Sequence, residues 1–139
     1  MREPSTVKTG LRGIAFLFLV GVSAWWLPGT GHWIIGRPKK AAIIFSSITF
    51  AFVLGIWLGS IAVIDAATPW YWAQMLNSPL VAYLAHLSGS SVYNLESYGK
   101  PREIGEIYTS IAGMLNLLCI VNAVYLAHYI NINKNSKSF

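Results

Sequence analysis

Ala41 to Ile64 is a run of 24 residues without one charged side chain. A helix needs about 20 apolar residues to cross the hydrocarbon layer of a bilayer. A soluble chain with an unusually greasy core is the alternative, and composition argues against it. Only 11% of the 139 residues are charged, against about 25% in ordinary soluble domains, too few to keep a surface wet. The sequence reads as one small all-α membrane domain.

The net charge of +5 invites a nucleic-acid reading until the cations are located. Arg2, Lys8 and Arg12 precede the first apolar run, and Arg37, Lys39 and Lys40 precede the second. Lys100 and Arg102 precede the third, and Lys134 and Lys137 follow it. Cations at the edges of apolar segments meet anionic head groups, whereas a nucleic-acid footprint needs a basic face with interleaved aromatics. The expected partners are therefore the lipid bilayer, anionic lipid, and other membrane-protein chains, with no nucleic acid. Cys119 is the only cysteine, so no intrachain disulfide can form.

Three spans are expected, at about 11–27, 41–64 and 104–130. The first keeps its place as a span rather than a signal peptide, because no small-residue cleavage pattern follows it before Trp25 and Trp26. Pro28 and Gly29 end it, and Gly36 to Lys40 forms the polar turn of a hairpin with the second span. Residues 66–103 read as an interfacial and loop segment: TPWYW, two short helices split by Pro79, then the polar stretch SGSSVYNLESYGKPR. A fourth, kinked span is the alternative there. Pro101, Glu103 and Glu106 mark the start of the last helix, and NINKNSKSF reads as a polar tail.

Ser47, Ala51, Gly55 and Gly59 recur every four residues and form a stripe of small side chains that another helix can approach closely. Gly113, Asn116 and Asn122 give the last span small and polar positions. At about 100° per residue, Asn116 and Asn122 cannot share a face. One amide is expected to bond another span and the other to face a partner chain. His32, Arg37, Lys39 and Lys40 gather exposed backbone amides, an imidazole and three cations at the turn, a combination suited to a lipid phosphate. A histidine that merely bonds a helix-end carbonyl, with lysines reaching to head groups, is the plainer reading. The order of glycines and lysine does not match a phosphate-binding GxxxxGK[ST] loop.

His86 and His128 lie in segments too different to offer a facing axial pair, so no haem, metal or other cofactor is expected. No nucleophile–base set can be assembled, and the spans lack the ionisable groups that mark ion pathways. The chain reads as a non-enzyme.

Two stretches, LPGTGHWIIGRPKKAAIIF and EIGEIYTSIAGMLNLLCIVNA, resemble the PGxGHxxxGRxxKGxxxF junction and the YTxxAGxLNLLxxxDA helix of an uncharacterised bacterial family of small integral membrane proteins. The junction is also loosely similar to the two-transmembrane hairpin domain. Asn122 stands where that helix pattern has an aspartate. The resemblance implies a few helices in a bacterial cytoplasmic membrane, crossed more than once, and carries no activity. The expected role is a non-catalytic accessory or scaffold subunit of a larger membrane complex, packing through its small-residue faces. The alternative is an anionic-lipid-binding or membrane-organising protein acting through residues 28–40. With three spans the Lys and Arg residues divide equally between the two sides, so orientation stays open.

Overall fold

The computed structural model describes the backbone of residues 5–89 and 100–136, and side chains over 11–87 and 100–133. Residues 90–99 of the polar loop and 137–139 of the tail lie outside the described residues. Among the described residues there are helices and no strands: α1 (Ser5–Trp26), α2 (Thr30–Ile34), α3 (Pro38–Gly59), a 3-10 turn (Ile61–Val63), α4 (Trp70–Met75), α5 (Leu80–Gly89) and α6 (Lys100–Ser136). The last helix begins earlier and ends later than its apolar run, because Lys100, Pro101 and the asparagine-rich tail continue it by a turn at each end.

Pro38–Gly59 and the Lys100–Asn133 part of α6 are long and apolar enough to cross a membrane, and Leu11–Trp26 is a shorter apolar helix. Only 22% and 33% of the apolar windows of the two longer helices are buried inside the protein. Core helices of a soluble protein would be mostly covered. Here Phe18, Trp57, Leu118 and Val121 are instead largely exposed, which is the surface a membrane protein presents to lipid.

α6 is the mast, about 55 Å long at 1.5 Å per residue. α3 runs antiparallel along its first part. Gly59 sits beside Pro101 and Gly105, Gly55 beside Gly105 and Thr109, and Lys40 and Ile44 share a groove with Leu118 and Asn122. α1 also runs antiparallel to α6, but along its later part: Gly13 lies against Asn131, Gly21 against Val124, and Ala24 reaches Asn116. Two helices antiparallel to a third run in the same direction as each other. The first two apolar segments are therefore not the expected hairpin. The 27–37 link reverses twice, because Gly29 (φ 87°) and Gly36 (φ 82°) both adopt the left-handed conformation that only glycine takes cheaply. Between those two turns, α2 folds back against α1.

The second departure concerns the segment after α3. It neither lies flat nor spans. Gln74 of α4 meets Thr109, and Asn77, just beyond α4, meets Asn116, so α4 descends alongside α6. Val81 of α5 then packs with Ile48, Phe52, Ile64 and Ala112 on the way back. Between Asp65 beside Arg102 and Asn77 beside Asn116, the segment follows α6 for 14 residues, roughly 21 Å. Such a re-entrant backbone is tolerated in a membrane only where protein covers it. Val63 and Ile64 are accordingly fully buried, and Gln74 with them.

α1 and α4 thus end against one another midway along α6, and each leaves carbonyls without helical partners. Side chains supply the missing donors. Asn116 Nδ2 donates to the carbonyls of Asn77 (2.8 Å), Leu76 (3.0 Å) and Ala24 (3.4 Å). Ser78 Oγ donates to Trp26 O, Trp25 Nε1 to Met75 O, and Thr30 Oγ1 to Leu27 O.

The small-residue stripe is used within the chain over only half its length. A Cβ on Gly55 would stand 2.6 Å from Thr109 Cγ2 and 2.9 Å from Gly105 O, and one on Gly59 3.0 Å from Pro101 O. Ala51 is half-buried against the core, but Ser47 is exposed. Spacing by four overshoots a helical turn by about 40°, so Ser47 lies about 120° around from Gly59 and misses the same neighbour. Overpacking typically costs about 1–3 kcal/mol, so Gly55→Ala should destabilise the protein by that much, whereas Ser47→Ala should stay within about 0.5 kcal/mol. Reversible unfolding of both variants in mixed micelles checks the contrast.

Candidate functional site

The double reversal brings together residues that are far apart in the chain. Gly31 presses close to Ala24 and Ala123, leaving no room for a larger side chain, and this contact seats α2 on α6. His32 follows it inward and is only 3% exposed. Its Nε2 lies 3.1 Å from Asn122 Oδ1. An amide oxygen only accepts, so with Oδ1 turned inward the imidazole carries its proton on Nε2. That arrangement turns the Asn122 amide nitrogen away from His32. Asn122 thus bonds within its own chain through its oxygen, while the residue itself remains exposed. Asn116, on a different face of α6, caps the ends of α1 and α4.

Beside this pair lies a groove of about 370 Å³, lined by His32, Lys40, Ile43, Ile44, Leu118, Cys119 and Asn122. Its polar end holds an ammonium, an imidazole and an amide, and the remainder is aliphatic with one thiol. A second groove of about 480 Å³ lies on the other side of the α3 start, between Leu27, Gly29 and Trp33 and the residues Ala41, Ala42 and Phe45. Arg37, Lys39 and Lys40 are all exposed at the head of α3. Two apolar grooves therefore flank one cluster of three cations. Chemically, the arrangement can take an anion with an attached hydrocarbon.

The other expected residues go to structure. Gly113 lies so close to Ala73 O and Asn77 N that a side chain there would displace α4. His86 and His128 are exposed, and among the described residues no group of three His, Cys, Asp or Glu side chains could hold a metal ion. Two features escaped the sequence reading. Gly105 completes a Gly105–Thr109–Gly113 series at four-residue spacing, the counterpart of the α3 stripe. Gln74, which donates to Thr109 Oγ1 at 2.9 Å and Val63 O at 3.2 Å, looked like an interfacial amide because nothing local marks the segment as re-entrant.

Interhelical polar bonds in membranes are worth on the order of 1 kcal/mol. A double-mutant cycle with His32→Phe and Asn122→Leu should return a coupling of about that size in unfolding measurements. A value near zero would mean that the two side chains act independently.

No curated protein and no solved structure matches the chain. A family model does, over residues 19–136, a range that includes both sides of the His32–Asn122 contact. The chain belongs to the family of unknown function DUF6677.

Proposed function

We propose that this protein binds anionic phospholipid in a bacterial cytoplasmic membrane, which it crosses with α3 and α6. One observation carries the reading: Lys40 and the bonded pair His32 and Asn122 line one groove, whose remaining lining is Ile43, Ile44, Leu118 and Cys119. Lys40 Nζ and Asn122 Nδ2 are the donors for a phosphate oxygen. His32 is a positioning residue that holds the Asn122 carboxamide by its oxygen. An acyl chain then runs between Ile43 and Ile44 of α3 and Leu118 and Cys119 of α6, with Arg37 and Lys39 at the rim. An accessory subunit of a larger complex is the competing reading. Gly55, Gly59 and Gly113 of the small-residue faces that suggested it are covered by α6 and α4 of the same chain, which leaves it the Ser47 end of the stripe.

Each cation near an anionic membrane surface contributes roughly 1 kcal/mol. In nanodiscs containing phosphatidylglycerol and phosphatidylcholine, the protein should retain the anionic lipid on native mass spectrometry. Replacing Arg37, Lys39 and Lys40 together by Gln should remove most of that preference, and Asn122→Leu should weaken it several-fold. A wild-type protein that retains both lipids equally would end the reading.

Orientation follows from the shared direction of α1 and α3. If α3 and α6 are the crossings, Lys8, Arg12, Lys134 and the Arg37–Lys40 cluster lie on one side. Lys100 and Arg102 lie on the other, together with Asp65, Glu103 and Glu106. Among the described residues six cations stand against two, a bias that by the positive-inside rule favours a cytoplasmic side for the start of α1 and the end of α6. A C-terminal fluorescent-protein fusion should light up, and a C-terminal alkaline phosphatase fusion should stay inactive.

A further inference from the structure

The seam between α4 and α6 carries an unusual load of polar atoms for a membrane interior. Gln74 Oε1, Asn77 Oδ1, Ser110 Oγ and Asn116 Oδ1 are buried without a hydrogen-bond partner in the protein. Their residues are at most 6% exposed. They are not scattered. Taking about 100° per residue around α6, Ser110 and Asn116 lie about 60° to either side of Gly113, the point where α4 touches. Glu106 and Arg102 lie within about 20° of the same line. Gln74 and Asn77, three residues apart, face it from the re-entrant segment.

We infer that water occupies this seam on both flanks of the Gly113 contact, reached from the Asp65–Arg102 end and ending below Asn116. Three of the four atoms are pure acceptors, whose missing partners must donate, and the fourth is a hydroxyl that can donate or accept. Water supplies two donors and two acceptors and bridges such groups in folded proteins. A bound cation fits less well, because its ligands must converge on a point, whereas Ser110 and Asn116 are about 9 Å apart along the helix. Exposure falls along the seam as an opening requires: the side chain of Asp65 is 42% exposed, that of Arg102 30% and that of Glu106 11%. Beyond Asn116 the same face is apolar, with Val20, Ala123 and Ala127 fully buried. The seam is a half-channel that admits solvent to mid-depth and stops there.

Ser110→Ala tests the inference by the sign of its effect. If Ser110 Oγ bonds water, its loss lowers the melting temperature in nanodiscs by about 4 °C. If the hydroxyl is dry and unpaired, removing it relieves the protein, and an unchanged or raised melting temperature overturns the inference. Amide exchange of the unaltered protein in D2O gives a second readout that needs no variant. Amides of residues 109–116 should exchange at least tenfold faster than those of 120–127, beyond Asn116. Equal rates in the two stretches would also overturn it.

Discussion

A helix that ends inside an apolar layer must find donors for its last carbonyls, since lipid offers none, and this fold ends two of them there. α1 stops at Trp26 and α4 at Met75, both beside the middle of α6. The cost of an unpaired buried acceptor is about 1–3 kcal/mol each, so the junction exists only because side chains close it. Asn116 spans both helix ends. Trp25 and Ser78 cross between them in opposite directions, each donating to a carbonyl of the other side. Nearer the Asp65 end, α3 meets α6 through small residues at Gly55, Gly59 and Gly105, a contact that tolerates slip. The junction does not, because each donor has a defined acceptor. It is the element that fixes where the re-entrant segment stops.

The double reversal follows from a second local necessity. A chain that leaves α1 in the middle of the bundle and continues as α3 in the same direction must dispose of an intervening turn. Gly29 and Gly36 allow it to fold that turn back as α2. Gly29 is constrained twice, by its positive φ and by Ala41 O, which a Cβ would meet at 2.6 Å. The same folding opens a groove on each side of α3's first turns and leaves three cations between them. The groove proposed for lipid is thus a by-product of how two parallel helices are joined, and it lies beside the place where His32 of α2 is fastened to Asn122 of α6.

The apolar helices were legible because hydrophobic run length is a local property, as were the first turn of α6 and the breaks at Pro28 and Pro79. The direction of α1 was not. Pro-Gly and Gly-Arg mark turns without saying how many reversals they make, and two left-handed glycines seven residues apart yield zero net change where one would yield a hairpin. The re-entrant segment was hidden for a related reason. Gln74, Asn77 and Ser78 look too polar for membrane depth until their partners are known, and those partners lie 35 to 52 residues away. The four-residue stripe was half legible: Gly55 and Gly59 pack as the pattern suggests, while helical drift carries Ser47 out to the surface.

Asn116 and Asn122 show why two identical residues on one helix divide the protein into two systems. They are six residues apart, about 9 Å along α6, and about 120° apart around it. Asn116 points into the seam shared with α4, where donors are scarce and water is the remaining source. Asn122 points to the opposite flank, where one oxygen satisfies His32 and the nitrogen is turned to the groove. The polar chain on the Asn116 side runs toward Arg102 and Glu106. The polar groups on the Asn122 side run toward Lys40 and the opposite end of α3. Further along the Asn116 face of α6, Ala123 and Ala127 pack with Val20 in a buried apolar cluster. One helix carries both because six residues turn the two amides about 120° apart.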